Sequence, residues 1–111
     1  MVKFMNIKIL LVEDQKLMRI GIKSLFNDYP EMEVIAEASS GKEAIEKSKL
    51  VKPDIVLMDI GLPDISGIEA TKYILEHNNN IKIIFFIIIH LVKNITSQVV
   101  LAMLLFYPPN I

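Results

Sequence analysis

The chain has 111 residues, of which 52% are hydrophobic, so it can bury one core and form one domain but not two. Its net charge of −1 leaves no electrostatic footprint for nucleic acid, and we expect no direct nucleic-acid binding by this chain. The absence of cysteine excludes disulfides, thiolate metal sites and a cysteine nucleophile. With an N-terminus that lacks a signal-peptide pattern, this composition predicts a cytoplasmic protein. The longest apolar runs fall short of the roughly 20 residues that span a bilayer, so we expect no membrane association.

The first third of the chain predicts a strand, a helix and a second strand. Residues 7–12 form an apolar run typical of a buried strand. Residues 15–27 follow with helical periodicity, and the positions on the apolar stripe are Met18, Ile22, Leu25, Phe26 and Tyr29. After a turn at Pro30, residues 33–38 predict the second strand.

Two capping boxes predict where the next two helices begin. Ser40 with Glu43 starts the second helix, and Pro53 prevents it from continuing. Its positions at helical spacing are Ala44, Ile45, Ser48 and Val51. The apolar residues 55–58 predict a third strand, which delivers a carboxylate at its end.

Ser66 with Glu69 starts the third helix, which ends at the asparagines 78–80. The expected inward stripe of this helix consists of Ile68, Thr71, Ile74 and Leu75. Residues 81–87 then predict a fourth strand, continuous enough in apolar character to be buried on both faces. Strands that alternate with helices of about a dozen residues indicate an α/β fold with right-handed crossovers and a parallel sheet covered on both sides.

Three acidic side chains follow two of the predicted strands. Glu13 and Asp14 come after the first strand, and Asp59 ends the third. Ligands of open parallel sheets bind beyond the carboxyl ends of the strands, so we expect one acidic site there. Because clustered carboxylates repel each other, the site calls for a cation, and Mg²⁺ prefers such hard oxygen ligands.

We expect Asp14 and Asp59 to bind the ion directly, the backbone carbonyl of Gly61 to turn into the site, and Glu13 to act through water. The alternative for each acid is a solvated loop residue or a helix N-cap, and Asp14 stands where the first helix would be capped. Asp59 is the expected nucleophile toward phosphorus, since a cation can neutralise the phosphoryl oxygens. Asp64 is expected to be a solvent-exposed turn residue.

Other residues near the acids have structural interpretations. Pro63 is expected to stiffen the loop after Asp59, and Gly67 to permit a close helix start. His77 lies in the last turn of the third helix, where an imidazolium complements the helix dipole. His90 follows a strand end and could face the crevice, but as an isolated histidine it is a minority candidate for a metal ligand or general base.

These residues resemble a known family. Glu13 and Asp14 after an apolar strand, together with the segment from Asp59 to Gly67, resemble the receiver domain of bacterial two-component response regulators. The sequence of this segment is most similar to the subfamily whose receiver precedes a LuxR-type DNA-binding domain. The resemblance covers residues 6–86. It implies a flavodoxin-like doubly wound parallel sheet of order 2-1-3-4-5, phosphorylation of Asp59 by a histidine kinase, and Mg²⁺ held by Asp14 with Glu13.

The chain departs from the family pattern after Phe86. Members carry Thr or Ser at the end of the fourth strand, and the aligned residue here is Ile87. They also carry Lys at the end of the fifth strand, where this chain offers only residues 107–109, Tyr-Pro-Pro. Neither switch residue is present, and the fifth strand is not predicted with any clear pattern. Since isoleucine cannot donate a hydrogen bond, phosphorylation would lack its usual route to a conformational change.

The composition also changes abruptly, since residues 94–111 carry no charge. We expect a receiver core over residues 1–90 and a diverged tail over residues 91–111 in place of the last helix and strand, with no effector domain. One hypothesis is an out-of-frame or degenerate replacement that truncates the regulator. The alternative is a diverged receiver whose tail still forms a helix and a strand.

The resemblance implies a phosphoacceptor in a magnesium-dependent phosphorelay, regulating transcription in its full-length form, and not an enzyme. Its expected partner is a sensor histidine kinase, and a homodimer is a further possibility. The first alternative is a degenerate pseudo-receiver that serves as a binding or dimerisation module. The second is a metal-dependent phosphatase, which is disfavoured because Gly61 stands where a general acid two residues after Asp59 would be needed.

Overall fold

The computed structural model describes residues 6–86, which form four strands and three α-helices. The elements in chain order are β1 (Ile7–Val12), α1 (Lys16–Leu25), a 3-10 turn (Phe26–Asp28), β2 (Met32–Ala38), α2 (Gly41–Val51), β3 (Ile55–Asp59), α3 (Gly67–His77) and β4 (Lys82–Phe86). Each of the seven predicted strands and helices is confirmed within a few residues of its expected bounds. The 3-10 turn completes the span that the periodicity predicted as one helix.

The four strands form one parallel sheet of order β2-β1-β3-β4. This order confirms the predicted flavodoxin-like arrangement for these strands. The two central strands are fully paired, and Val12 of β1 lies opposite Met58 of β3. Consequently the residues that follow β1 and the residue that ends β3 emerge side by side at the carboxyl edge of the sheet.

The sheet separates two hydrophobic clusters. Alternate residues of β1 face opposite sides, so that Ile9 and Leu11 join the cluster under α1, while Leu10 and Val12 join the cluster under α2 and α3. The side of α1 is completed by Ile22, Phe26 and Met32, and the opposite side by Ala44, Ala70 and Ile74. Covering both faces buries β1 and β3 almost completely, which gives the carboxyl edge a rigid base.

Both predicted helix starts are confirmed by cap hydrogen bonds. The hydroxyl of Ser40 accepts from the backbone N–H of Glu43, and that of Ser66 accepts from the N–H of Glu69, each at 3.1 Å. The C-terminus of α2 ends differently from a glycine cap, since Lys52 adopts the left-handed conformation with φ of 50°. Pro53 follows directly and is buried, and the helix ends before it, as predicted.

The predicted inward stripe of α3 is wrong at one position. Ile68 is 55% exposed, whereas the buried side of the helix consists of Gly67, Ala70 and Ile74. Two small residues let the first turns of α3 approach the sheet closely, and this rotates the neighbouring Ile68 toward solvent. Ile68 was predicted to face inward because it is more hydrophobic than glycine and alanine, but the small residues are the ones that pack against the sheet.

The prediction that β4 is buried on both faces is also wrong for the described part of the strand. Lys82 is exposed and Phe85 is 40% exposed, while Phe86 is buried. Within residues 6–86, β4 pairs with β3 along one edge, and its side chains are less covered than those of β1 and β3.

Several predictions fall outside the described residues. They concern Ile87, His90, the missing lysine, the fifth strand and the tail of residues 91–111. Across residues 6–86, none of the helices combines the length and the apolar character that crossing a bilayer would require.

Candidate metal and phosphoacceptor site

The fold brings the three predicted acids together. Glu13, Asp14 and Asp59 each offer a carboxylate oxygen, and these oxygens all lie within 4.8 Å of one another. The pairing of Val12 with Met58 explains the convergence, because each of these residues directly precedes one of the acids. The cluster therefore stands at the carboxyl ends of two central parallel strands, where such sheets bind ligands.

Glu13 forms the buried floor of the cluster. Its side chain is 0% exposed, and its Oε2 accepts a hydrogen bond from the backbone N–H of Asp14 at 2.8 Å. The other oxygen, Oε1, is buried and has no hydrogen-bond partner. An unsatisfied buried acceptor costs about 1–3 kcal/mol, so this oxygen calls for a proton or a cation.

The environment of Glu13 strongly disfavours its charge. Burial raises the pKa of the Glu13 carboxyl to about 8, and the neighbouring carboxylates of Asp59 and then Asp14 add to the effect. Without a cation, the cluster therefore retains a proton near neutral pH. A divalent ion would supply the opposite charge that lets all three carboxylates ionise together.

Asp59 and Asp14 complete the wall and the mouth of the cluster. Asp59 is only 7% exposed, and its Oδ1 accepts from the backbone N–H of Gly61 at 3.1 Å. Asp14 is exposed, so the cluster opens to solvent at this side. The structure thus ties Gly61 to Asp59 through its N–H, whereas the predicted role of the Gly61 carbonyl in ion binding stays a prediction.

The alternative interpretation of Asp14 as a helix cap is not realised. The N-cap of α1 is Gln15, and no side-chain cap hydrogen bond forms there. The carboxylate of Asp14 therefore remains available to the cluster. This outcome strengthens the metal-site interpretation of the three acids.

The loop after Asp59 packs closely on the end of β3. A Cβ added to Gly67 would lie 2.5 Å from the carbonyl oxygen of Asp59 and 2.9 Å from Cγ of Met58. The N–H of Gly67 also donates to the carbonyl of Ile60 at 3.2 Å. The expected close helix start at Gly67 is thus confirmed, and its hydrogen bond to Ile60 ties the helix start to the residue that follows Asp59.

Asp64 does more than the sequence predicted. Although it is exposed, as expected for a turn residue, its carboxylate accepts from the N–H of Gly41 at 2.8 Å and from that of Lys42 at 2.9 Å. Desolvation opposes ionisation, but these backbone hydrogen bonds outweigh it and lower the pKa of Asp64 to about 2. Asp64 therefore ties the loop that follows Asp59 to the first turn of α2.

Arg19 is a second residue whose position sequence reasoning missed. The helical periodicity indicated only that it lies off the apolar stripe of α1. In the structure its Nη1 donates to the backbone carbonyls of Glu13 at 2.7 Å and Asp14 at 3.2 Å. The spacing of five residues from Asp14 was the one available signal, since it puts Arg19 on the first turn of a helix that begins just after the acids.

The site residues fit a hard divalent cation. The donors are carboxylate oxygens, one of which is buried without a partner, and the open side at Asp14 leaves room for water ligands. None of the three ion pairs within residues 6–86 uses these carboxylates, so no cation of this part of the chain neutralises them.

Comparison with known proteins gives a consistent result. The sequence model of the response regulator receiver domain matches residues 9–101. Response regulator protein VraR of Staphylococcus saprophyticus is 42% identical over 80 residues, which are 72% of this chain and 38% of that protein. VraR of Staphylococcus aureus is 44% identical over the same shares. The chain thus spans well under half the length of the curated relatives it matches.

Solved structures agree with this match. A LuxR-family two-component response regulator from Aurantimonas superposes with a TM-score of 0.71 at 36% identity, covering 74% of this chain and 59% of that one. The response regulator domain of Thermotoga maritima CheB gives 0.71 at 32% identity, covering 87% and 72%. The family match includes most of the chain, and the sheet order and acidic cluster agree with it. This chain belongs to the family of response regulator receiver domains.

Proposed function

We propose that Asp59 accepts a phosphoryl group from a sensor histidine kinase in a magnesium-dependent phosphorelay. The observation that carries the proposal is the convergence of three carboxylates within 4.8 Å around a buried, unpartnered Glu13 oxygen. Asp59 is the acceptor because it ends the central strand β3 and is fixed by the Gly61 N–H and by the close start of α3.

Four groups would hold Mg²⁺ at this site. Asp14 and Asp59 would bind it directly, the Gly61 carbonyl would add a neutral oxygen, and Glu13 would act through a water molecule. When bound, the ion neutralises the phosphoryl oxygens and the carboxylates that face them. The protein itself supplies a preorganised acceptor, since burial and backbone contacts hold Asp59 before any donor arrives.

In the transfer, a carboxylate oxygen of Asp59 forms a bond to phosphorus while the bond from phosphorus to the donor histidine nitrogen breaks. The electron pair of the broken bond stays on the imidazole. The product is an acyl phosphate on Asp59. This makes the chain a signalling phosphoacceptor and not an enzyme that turns over an outside substrate, in keeping with relatives that are named as regulators.

The biological setting follows from the relatives. Similarity to VraR proteins and to a LuxR-family regulator supports transcriptional regulation in the cytoplasm as the output of the full-length protein. A net charge of −1 supports a receiver that does not contact nucleic acid directly. We retain the division into a receiver core of residues 1–90 and a diverged tail of residues 91–111, with homodimerisation as one means of output.

The test is phosphorylation by a small acyl phosphate in the presence of Mg²⁺, followed by intact mass measurement. The wild-type chain should gain the mass of one phosphoryl group, and hydroxylamine should remove it, because an acyl phosphate is cleaved by this nucleophile. Asp59→Asn should gain nothing, and EDTA should abolish the gain. A wild-type chain that folds, binds Mg²⁺ and gains no mass would favour the pseudo-receiver function.

A second measurement addresses signalling after phosphorylation. With Ile87 in place of the hydroxyl-bearing residue, we expect phosphorylation to leave the structure nearly unchanged. Comparing amide NMR spectra of the unmodified and phosphorylated chains tests this. Shifts confined to residues near Asp59 would agree, while shifts spread across a distant face would show that another residue replaces the missing switch.

A further inference from the structure

Arg19 connects three elements around the acidic cluster without touching its carboxylates. Its side chain is 18% exposed, and it reaches back from the first turn of α1 to the carbonyl oxygens of Glu13 and Asp14 at 2.7 and 3.2 Å. Its Nε lies 3.4 Å from Oε1 of Glu37 on β2. One planar guanidinium therefore joins α1, the acidic loop and the edge strand.

The backbone of the two acidic residues is fully hydrogen-bonded only because of Arg19. The N–H of Glu13 donates to the carbonyl of Ala38 at 2.9 Å, and the N–H of Asp14 donates to the Glu13 carboxylate. Both remaining groups, the two carbonyls, accept from Arg19. Half of the backbone partners that orient this loop thus come from one side chain.

The positive charge of Arg19 pairs with Glu37 and, within residues 6–86, with none of the three acids of the cluster. Glu37 balances it, and the same carboxylate also pairs with Lys23 at 3.0 Å. An arginine that paired directly with Asp14 or Glu13 would compete with a divalent ion for the same oxygens. By binding the carbonyl side of the loop instead, Arg19 orders the acids without pairing with their carboxylates.

We propose that Arg19 is a positioning residue that preorganises Glu13 and Asp14 for Mg²⁺ by holding their backbone carbonyls. This inference rests on the proposed function, because it assumes that the carboxylate cluster binds the ion. Residues outside the ligand shell that orient the ligands commonly change metal affinity by an order of magnitude or more. The alternative is a purely structural role, in which Arg19 only ties α1 to β2 and thereby stabilises the fold.

Calorimetric titration with Mg²⁺ separates the two roles. Arg19→Ala should weaken Mg²⁺ binding about tenfold. Two control variants should bind Mg²⁺ as tightly as the wild type. Lys23→Ala removes the second ion pair to Glu37 and keeps both carbonyl contacts, while Ile74→Val loosens the core under α3 and lowers the melting temperature at a distance from the loop. Affinity should therefore not follow stability across this set.

A second readout does not depend on the ion. Hydrogen exchange at the Asp14 amide should accelerate in Arg19→Ala and stay slow in the two controls, since this amide is held by the loop geometry. Arg19→Lys serves if the alanine variant does not fold. An ammonium keeps the charge toward Glu37 but lacks the planar fork that reaches Glu37 and both carbonyls, so we expect an intermediate affinity.

The outcomes are distinguishable. If the wild type binds Mg²⁺ and Arg19→Ala and Arg19→Lys bind it equally well, the positioning role is overturned and only the structural role remains. If Arg19→Ala, Lys23→Ala and Ile74→Val lose Mg²⁺ affinity in proportion to the drop in their melting temperatures, the positioning role is overturned as well. If the wild type itself does not bind Mg²⁺, the proposed function fails and this inference fails with it.

Discussion

Glu13 concentrates the electrostatic consequence of gathering three acids at one sheet edge. Its neighbour Asp14 can turn a carboxylate to water, but Glu13 is 0% exposed and one of its oxygens has no partner. A residue in this environment lowers the stability of the metal-free protein once it ionises. Such a cost is expected at a site that has been shaped for a ligand rather than for stability.

The stability of the metal-free chain should therefore fall as the pH rises. Burial raises the pKa of Glu13 from 4.5 to about 8, so the folded state binds this proton more tightly than the unfolded state. The resulting stabilisation is fully present below about pH 4.5 and is lost as the pH rises through about 8. Urea unfolding in EDTA across this range should show a loss of more than about 1 kcal/mol.

The control for this pH dependence is Asp59→Asn, which removes the neighbouring carboxylate that raises the pKa of Glu13 most. The loss should shrink in this variant, because only burial and Asp14 still oppose ionisation of Glu13. Saturating Mg²⁺ should also flatten the profile of the wild type. A profile that is equally steep in all three samples would mean that the cluster is not the source.

Asp64 shows why some site residues escape sequence reasoning. Its loop pattern predicted an exposed turn residue, and exposed it is, but its partners are 22 and 23 residues earlier in the chain. Arg19 is a similar case, since its carbonyl partners depend on the angle at which α1 leaves the loop. Local spacing predicted that the three acids converge, but it contains no information on these tertiary contacts.

Replacing Asp64 should destabilise the protein through the start of α2. Asp64→Ala removes two hydrogen bonds to backbone N–H groups and should cost about 1 kcal/mol in unfolding free energy. Asp64→Asn keeps one acceptor oxygen and should cost less. Because the pKa of Asp64 is lowered to about 2, its contribution is present above its ordinary value of 3.8 and is lost only as the pH falls through about 2. Equal stability of the alanine variant and the wild type would exclude this cap.

At the scale of elements, the close approach of α3 to β3 determines the packing around the backbone of Asp59. Gly67, Ala70 and Ile74 form the buried side of the helix, and the first of them leaves no room for a Cβ beside the carbonyl oxygen of Asp59. The sequence allowed this helix start to be predicted from Ser66 and Gly67. It did not allow the rotation of the helix to be predicted, because small residues carry little hydrophobic signal.

Two glycines give a matched test of this contact. Gly67→Ala would place a methyl group 2.5 Å from the Asp59 carbonyl oxygen, so it should cost about 1–3 kcal/mol and disturb phosphorylation of Asp59. Gly21→Ala on the exposed side of α1 meets nothing within 4 Å and should stabilise the chain by about 0.5–1 kcal/mol. Thermal unfolding of both variants measures the difference, and a neutral Gly67→Ala would show that the helix start is not tightly packed.

At the scale of the whole molecule, two sequence features account for the central strands and the parallel pairing, whereas the strand order itself was expected only from the family resemblance. The apolar runs of β1 and β3 demand burial on both faces, and this places them in the centre of the sheet. Helices between consecutive strands then require parallel crossovers. The burial of β4 was overestimated for its described residues, because an apolar composition does not reveal how much of a strand's faces is covered.

The central position of β1 and β3 is also the reason that a site exists. Parallel strands bring their carboxyl ends to one edge, and the chain places its acids immediately after both central strands. Mutual repulsion of the acids at this edge therefore lowers the stability of the metal-free fold. A cation that binds only the folded state should return that stability by mass action.

The most direct test of this account is thermal unfolding of the wild-type chain at neutral pH during a titration with Mg²⁺ at constant ionic strength. We predict that the melting temperature rises steadily with the logarithm of Mg²⁺ concentration, and that Asp14→Asn and Asp59→Asn each weaken the rise. A melting temperature that stays the same with and without Mg²⁺ would contradict the claim that these carboxylates form a divalent-ion pocket.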